Sequence, residues 1–233
     1  MRRSIQNLIG PFLATLPIRH WPRILSRLTG VLCPRASVPN DQVTSSGGAN
    51  AKILFDILDQ TANLDGDVAE CGVWRGRTLI AMGIYLRQSR SQKTIWGFDS
   101  FEGFHDGLAH TFRDGSMEVV NEKTAIFRLT NVRVVRGYFP ESFRAAAQRK
   151  FSFVHVDCDL YESYRDCLEF FFPRMVRNGV ILFDEYGDPE WPGANRAVDE
   201  FCRQAKVSLQ SIVKDNTRKF FMTAPGDTGE AVL

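Results

Sequence analysis

The sequence predicts an α/β protein built on a doubly wound, mostly parallel sheet that ends in an antiparallel hairpin. Short apolar segments of strand length alternate with longer segments whose apolar residues recur at helical spacing. Near the C-terminus, two further apolar segments flank the polar residues 216–218 and predict the hairpin. Alternating strands and helices form βαβ units, whose strands pair in parallel and are covered by helices on both faces.

The predicted elements follow one another between residues 51 and 225. The first helix, 51–62, has an apolar face formed by Ile53, Leu54, Ile57 and Leu58. Apolar segments then predict strands at 67–73, 94–101, 132–139, 151–159 and 179–187, with hairpin strands at 207–215 and 219–225. The segments between them predict helices at 76–88, 141–150, 162–176 and 194–205. Residues 102–125 show no clear periodicity and predict a long loop over the site.

Length and composition fit either one large domain or one domain with a small appendage. The chain has 233 residues, of which 44% are hydrophobic and 24% charged, as in ordinary globular proteins. Its net charge of +2 indicates no particular class of partner. Five scattered cysteines without a CxxC pair argue against a disulfide framework or a zinc site. They are typical of free thiols in a reducing compartment, so we expect a cytoplasmic protein.

Residues 1–40 predict a helical N-terminal arm. Apolar residues recur there at helical spacing, and every Lys, Arg, Asp or Glu before Asp41 is an arginine. Gly10, Pro11 and Pro17 interrupt the apolar stretch and no A-x-A site follows, which argues against a signal peptide. We expect the arm to pack on its own domain or on a second copy in a homo-oligomer. Contact with a membrane surface is the less favoured alternative.

The first predicted strand runs directly into a helix through a glycine-containing turn, residues 70–76. In open α/β sheets ligands bind outside the carboxyl ends of the strands. The pattern E-x-G-x-x-x-G differs from the dinucleotide pattern G-x-G-x-x-G, because Trp74 occupies the place of the middle glycine. It suits a nucleoside that carries an amino acid, with Glu70 placed for the ammonium group. A turn that binds no ligand is the alternative reading of this motif.

The second predicted strand ends in the segment GFDSFEG with Asp99. A carboxylate at this place can accept hydrogen bonds from both hydroxyls of a ribose. A loop aspartate that faces solvent is the alternative. Together with residues 70–76, Asp99 indicates a nucleoside cofactor.

The fourth and fifth predicted strands end in four carboxylates. Asp157 and Asp159 would point to the same side if their strand continued, and Asp184 and Glu185 follow the next strand. Like charges this close cannot all remain ionised cheaply, and a hard cation such as Mg²⁺ with oxygen ligands would resolve the conflict. The alternative is that these residues cap the following helices, as Asp159 or Glu162 could do.

Five motifs together resemble the macrocin O-methyltransferase family, in the same order along the chain: DVAECGVWRGRT, FDSFEGF, VDCDLYESY, GVILFDEYGD and ANRAVDEF. The resemblance spans roughly residues 50–225. It implies a class I, Rossmann-like methyltransferase domain, residues 41–233, with one antiparallel strand in a seven-stranded sheet. It further implies that the enzyme uses S-adenosylmethionine and a divalent cation, Mg²⁺ or another, to methylate a hydroxyl of a sugar or glycosylated natural product.

The resemblance also assigns residues. It implies a cofactor site formed by Glu70, Gly72, Val73, Trp74, Gly76, Asp99, Ser100 and Phe101. It implies metal ligands at Asp157, Asp184 and Glu185, and Asp159 as the general base. The family usually has a second aspartate where this chain has Glu185, so the geometry or choice of metal is expected to differ.

Several residues and functions keep alternative interpretations. His155 is interpreted as a core histidine, with a ligand role less favoured, and His105 and His110 could face a substrate from the predicted loop. Trp191 and Arg196 either shape an acceptor pocket or pack on the surface. The alternative functions are a cofactor-binding scaffold without catalysis, a membrane-surface binder acting through the arm, and an NAD-dependent dehydrogenase. The main domain has no basic stripe with interleaved aromatic residues, which disfavours nucleic acid as a partner.

Overall fold

The structure is a computed structural model that describes residues 48–104 and 112–226. The predicted N-terminal arm, His105, His110 and Cys33 lie outside the described residues. Within these two segments, every helix is too short or too polar to span a bilayer.

Helices and strands alternate along the described chain. The α-helices are α1 (Gly48–Gln60), α2 (Arg77–Gln88), α3 (Met117–Ile126), α4 (Tyr161–Phe171) and α5 (Pro192–Ala205). The strands are β1 (Asp67–Cys71), β2 (Ile95–Asp99), β3 (Val132–Arg136), β4 (Phe151–Val156), β5 (Met175–Phe183), β6 (Gln210–Lys214) and β7 (Thr217–Thr223). Short 3₁₀ turns occupy Glu141–Ala146 and Phe172–Arg174.

The seven strands form one sheet in the order β3-β2-β1-β4-β5-β7-β6. Strands β1 to β5 pair in parallel, and β7 pairs antiparallel with both β5 and β6. The predicted mixed sheet with a C-terminal hairpin is therefore confirmed. The strand order reverses between β1 and β4, which places the ligand-binding crevice at their carboxyl ends.

Two hydrophobic cores lie on the two faces of the sheet. One packs α1, α2 and α3 against Val68, Phe153 and Leu182. The other packs α4 and α5 and is rich in aromatic rings, including Phe98 and Phe143, whose ring centroids are 5.2 Å apart. Strand β4 is buried along its whole length, and its sequence is apolar except for the buried residues Ser152 and His155.

The prediction of a loop throughout 102–125 is wrong, because α3 begins at Met117. The Ser116 side chain caps this helix by accepting a hydrogen bond from the backbone N–H of Val119 at 3.4 Å. The apolar face of α3 is short, so its periodicity is weak in the sequence. The serine cap was the available signal for the start of the helix.

Other boundaries also differ from the predictions. The helix predicted at 141–150 is only a 3₁₀ turn over Glu141–Ala146. Helix α4 ends at Phe171, shortly before Pro173, and β5 begins at Met175 rather than at 179. The hairpin turn consists of Asp215 and Asn216, both with positive φ, and Thr217 already belongs to β7. Two consecutive residues with positive φ are typical of the two-residue turns that join twisted antiparallel strands.

Gly72 allows the turn after β1 to pass closely over the end of β4. A Cβ atom at this position would lie 1.6 Å from the carbonyl oxygen of Asp157, and the φ of Gly72 is +89°. The glycine is therefore required by contact between two backbone segments, and this contact brings the first strand end next to the fourth.

We expect Gly72→Ala to lower the free energy of unfolding by about 2–4 kcal/mol, because it combines a backbone clash with an unfavourable φ. Urea denaturation monitored by circular dichroism measures the loss. Gly137→Ala is the matched control: its φ is also positive, +142°, but the nearest atom to its Cβ would be the Ser142 Cβ, at 3.3 Å. Equal losses in the two variants would contradict the role of the clash.

Candidate functional site

The residues predicted to form the site lie at the carboxyl ends of neighbouring strands. Glu70 is on β1, and Asp99 is the last residue of β2. Asp157 follows β4 and Asp184 follows β5, where the backbone N–H of Asp184 donates to Val156 at 2.9 Å. Parallel pairing of these strands is what brings residues distant in sequence to one edge of the sheet.

Asp99 organises the turn that follows β1. Its Oδ2 accepts hydrogen bonds from the backbone N–H groups of Val73 and Trp74, both at 2.7 Å. Its Oδ1 accepts one from the N–H of Phe101 at 2.6 Å. The Ser100 hydroxyl orders the next turn by donating to the carbonyl of Gly103 at 3.1 Å. One carboxylate thus fixes two loops that flank the crevice.

Glu70 retains an unused acceptor at the end of β1. The residue is buried, its Oε1 lies 3.3 Å from Nδ1 of His155, and its Oε2 has no hydrogen-bond partner in the structure. Burial raises the pKa of this carboxyl group, and the interaction with His155 opposes that shift. A buried acceptor without a partner is costly, and a ligand ammonium group would satisfy it.

The second glycine of the turn is explained by protein contacts. Gly76 has a φ of +74°, and a Cβ there would lie 2.9 Å from both methyl groups of Val120 on α3. Like Gly72, it permits close packing of the turn, so these two glycines do not by themselves indicate a ligand.

Three carboxylates form a cluster that could hold a metal ion. Asp157, Asp184 and Glu185 each offer one oxygen, and these oxygens lie within 4.8 Å of one another. Burial and the charges of Asp184 and Glu185 raise the pKa of Asp157 well above its ordinary value. Burial, Asp184 and Asp159 likewise raise the pKa of Glu185 to about 7. This donor set of oxygen atoms fits a hard divalent cation.

Asp159 adjoins this cluster through a backbone contact. Strand β4 ends at Val156 and Asp159 has a φ of +63°, so the expected alternation along one continuing strand is wrong. Its backbone N–H donates to Oε2 of Glu185 at 3.4 Å. Burial, followed by the charges of Asp157 and Asp184, raises the pKa of the Asp159 carboxyl to about 8. The alternative that Asp159 caps α4 is not supported, since the N-cap is Leu160 without a side-chain hydrogen bond.

Tyr164 holds Glu185, and the sequence analysis missed it. The tyrosine is fully buried on α4, and its hydroxyl donates to Oε2 of Glu185 at 2.5 Å. The same hydroxyl accepts a hydrogen bond from the backbone N–H of Glu185 at 3.2 Å. A tyrosine three residues after the start of a helix gave no sequence signal for this contact.

Asp184 is paired with two cationic side chains. Lys219 donates from Nζ to Oδ1 of Asp184 at 2.7 Å, and Nε2 of His155 lies 3.8 Å from the same oxygen. Burial alone would raise the pKa of Asp184, but His155 and Lys219 lower it below its ordinary value. For His155, burial lowers the pKa, and hydrogen bonds to Asp184 and Glu70 outweigh burial and raise it to about 10. His155 is thus a buried histidine with two acidic partners.

A cavity of about 60 Å³ opens beside this cluster, between the first turns of α1 and α2 and the strand ends. Its lining includes both signs of charge: Arg77, His155, Asp157, Asp184 and Lys219. Apolar side chains, among them Leu54, Phe55 and Leu182, complete the lining, so it suits a ligand that has both a charged group and an apolar part.

Four aromatic rings form a row across the loops that follow β1, β2 and β5. Consecutive ring centroids from Trp74 to Phe112, Phe104 and Trp191 are 5.3, 5.5 and 5.9 Å apart, and each contact is edge to face. All four rings are half-buried. Of the two residues predicted to shape an acceptor pocket, Trp191 lies in this row, whereas Arg196 is exposed and its guanidinium lies 3.9 Å from the Tyr161 ring.

Three described cysteines, Cys71, Cys158 and Cys167, are buried free thiols, as predicted. Cys202 is free and half-buried. The sulfur atoms of Cys158 and Cys167 lie 4.0 Å apart.

We expect the cation-free protein to lose stability as the pH rises through about 7 and about 8, the folded pKa values of Glu185 and Asp159. Both exceed the ordinary carboxyl values, so the folded state binds these protons more tightly than the unfolded state does. The resulting stabilisation is complete below the unfolded pKa and is lost as the pH passes the folded pKa.

Thermal unfolding in EDTA across this pH range measures the effect. Asp159→Asn should flatten the dependence, and Glu190→Gln, on the exposed surface, should leave it unchanged. A melting temperature that rises with pH in this window would contradict the assigned shifts.

We expect Tyr164→Phe to lower the free energy of unfolding by about 1–3 kcal/mol, because it removes a buried hydrogen bond to a charged group. Chemical denaturation measures the loss. Tyr186→Phe is the matched control, since its hydroxyl donates to Asp199 at 2.8 Å at an exposed position. If both variants lose the same small amount, Tyr164 does not hold Glu185 as described.

Comparison with known proteins identifies relatives of this chain. Residues 39–222 match the family Macrocin-O-methyltransferase (TylF). The chain is 30% identical over 170 residues to demethyldecarbamoylnovobiocin O-methyltransferase of Streptomyces niveus, covering 66% of this chain and 64% of that protein. It is 29% identical over 169 residues to mycinamicin III 3''-O-methyltransferase of Micromonospora griseorubida, covering 64% and 65%. The matched region thus spans a little under two thirds of the length of these relatives.

Solved structures show the same fold. The O-methyltransferase NovP superposes with a TM-score of 0.66 at 26% identity, covering 79% of this chain and 84% of that chain. The calicheamicin methyltransferase CalS11 superposes with a TM-score of 0.60 at 20% identity, covering 84% and 90%. With the family match over residues 39–222, the strand order and the carboxylate cluster at the ends of β4 and β5, we conclude that the chain belongs to the macrocin O-methyltransferase family.

Proposed function

We propose that the chain is an S-adenosylmethionine-dependent O-methyltransferase that methylates a hydroxyl of a sugar or of a glycosylated natural product. The observation that carries this proposal is the juxtaposition, within a methyltransferase family fold, of a turn suited to a nucleoside cofactor and a cluster of three carboxylates. Two relatives, the O-methyltransferases of demethyldecarbamoylnovobiocin and of mycinamicin III, support the class of acceptor.

The cofactor would occupy the edge of the sheet at β1 and β2. Glu70 offers its unpartnered Oε2 to the ammonium group of the amino acid. Asp99 already accepts three backbone N–H hydrogen bonds, two at Oδ2 and one at Oδ1, so Oδ1 has one acceptor site left for a ribose hydroxyl. We assign the remaining contacts to the turn and to the loop after β2: Gly72, Val73, Trp74, Gly76, Ser100 and Phe101.

Asp157, Asp184 and Glu185 would hold a divalent cation, Mg²⁺ in the simplest case. When bound, S-adenosylmethionine supplies a methyl group on a sulfonium sulfur, and a cation lowers the pKa of an acceptor hydroxyl. The glutamate reaches further than an aspartate, and Tyr164 restrains it by the 2.5 Å hydrogen bond to Oε2. This restraint supports Glu185 as a ligand despite its longer side chain.

Asp159 would act as the general base. It lies next to the proposed cation ligands but is not one of the three clustered residues. Burial is the largest cause that raises the pKa of its carboxyl group, so its ionised form is a stronger base than an ordinary aspartate. A carboxylate oxygen of Asp159 would accept the proton that the acceptor hydroxyl loses. The aromatic row from Trp74 to Trp191 would then border the acceptor, since it crosses the loops around these strand ends.

S-adenosylhomocysteine at about one hundred times its Kd should stabilise the protein by about 2.7 kcal/mol. For a chain of this size the melting temperature should rise by about 5–10 °C. Differential scanning fluorimetry measures the shift, with NAD as the control nucleotide that should give none. A shift with NAD and none with S-adenosylhomocysteine would overturn the proposed cofactor.

Asp157→Asn should abolish methyl transfer while S-adenosylhomocysteine binds within about threefold of its original affinity, a change below about 0.7 kcal/mol. The reason is that Asp157 belongs to the proposed cation site rather than to the nucleoside site. Calorimetry measures binding, and release of S-adenosylhomocysteine with a panel of glycosides measures turnover. Glu169→Gln, exposed on α4, is the control that should keep both. Loss of cofactor binding in a folded Asp157→Asn protein would contradict this division of roles.

A further inference from the structure

Lys219 is a buried lysine that touches a proposed cation ligand. It lies on β7 with 11% of its side chain exposed. Its Nζ donates to Oδ1 of Asp184 at 2.7 Å and to the backbone carbonyl of the same residue at 2.6 Å. A lysine is rarely buried unless it is paired, so this position in the sheet requires an acidic partner.

Lys219 ends a row of alternating charges across one face of the sheet. The neighbouring strands β1, β4, β5 and β7 contribute, in that order, Glu70, His155, Asp184 and Lys219. Asp184 directly follows β5, and Lys219 is the third residue of β7. His155 contacts the carboxylates on both sides of it, and Lys219 contacts only Asp184 among the acidic side chains of the described residues. Within the described segments, Lys219 therefore pairs with Asp184 alone, whereas His155 is shared between Asp184 and Glu70.

We propose that Lys219 sets the affinity of the cation site: it occupies Oδ1 of Asp184, leaves Oδ2 for a divalent cation, and weakens binding of that cation by charge repulsion. This inference rests on the proposed function, because it concerns the cation site assigned there. Lys219 is a positioning residue, since it acts through Asp184.

The sign of the effect follows from the charges. Lys219 and a divalent cation would both bind Asp184, so each positive charge raises the electrostatic energy of the other. The lysine compensates Asp184 when no ion is bound and opposes the ion when it arrives. Such a site has a higher Kd for its ion than the same site without the lysine. A lysine with a purely structural role would affect stability without tightening ion binding.

Calorimetric titration of the EDTA-treated, dialysed 233-residue chain with Mn²⁺ or Mg²⁺ tests the proposal. Lys219→Gln removes the charge and retains an N–H donor, and we expect the ion to bind about tenfold more tightly, equivalent to about 1.4 kcal/mol. Lys219→Arg retains the charge and should stay within about threefold of the original Kd, a change below about 0.7 kcal/mol. Lys214→Gln on β6 is the control, because Lys214 pairs with Asp56 away from the cluster and its loss should leave the Kd unchanged.

Circular dichroism verifies that each variant is folded. If Lys219→Gln does not fold, Lys219→Met is titrated in its place with the same expected tightening. Unchanged or weaker ion binding in the folded neutral variant would overturn the role of Lys219. Absence of ion binding to the unsubstituted protein would instead overturn the cation site of the proposed function, so the two failures are distinguishable.

Discussion

Repulsion among the carboxylates at the ends of β4 and β5 is the constraint on which the surrounding structure depends. Asp157, Asp184 and Glu185 bring oxygens within 4.8 Å of one another in a site largely shielded from water. Hydrogen-bond donors on three neighbouring elements offset this repulsion. Lys219 reaches from β7, His155 from β4 and Tyr164 from α4. These three buried positions therefore carry polar side chains because each one contacts a carboxylate.

At this edge of the sheet, the turn assigned to the cofactor is in contact with the residues assigned to the cation. Gly72, in the turn after β1, lies against the backbone of Asp157, so the turn assigned to the cofactor rests on the residue assigned to the cation. Glu70 and Asp184 are further linked through His155. A shift at one strand end therefore displaces the other, and the relative position of the two sites is set by sheet pairing rather than by flexible loops.

The sequence was sufficient to predict the sheet, most helices and the acidic residues at the strand ends. These depend on local periodicity and on the rule that parallel strands meet at one edge, and both are visible in the order of residues. What could not be predicted depends on contacts between distant segments. Lys219 lies 35 residues after Asp184 in a strand whose sequence only predicts pairing. In the sequence, Tyr164 is indistinguishable from a residue on the apolar face of a helix. Its contact with Glu185 becomes visible only when the packing of α4 is known. Helix α3 was missed because its apolar face is short.

The three hydrogen bonds that Asp99 accepts have a thermodynamic consequence for ligand binding. They hold the turn after β1 and the loop after β2 in one arrangement before any cofactor arrives. The conformational entropy of ordering these backbone segments is therefore lost during folding, not during association. A disordered turn would have to become ordered on binding, and this cost would weaken the affinity. An ordered turn avoids that loss. A single carboxylate at the end of β2 thus preorganises the turn and the loop that we assign to the nucleoside.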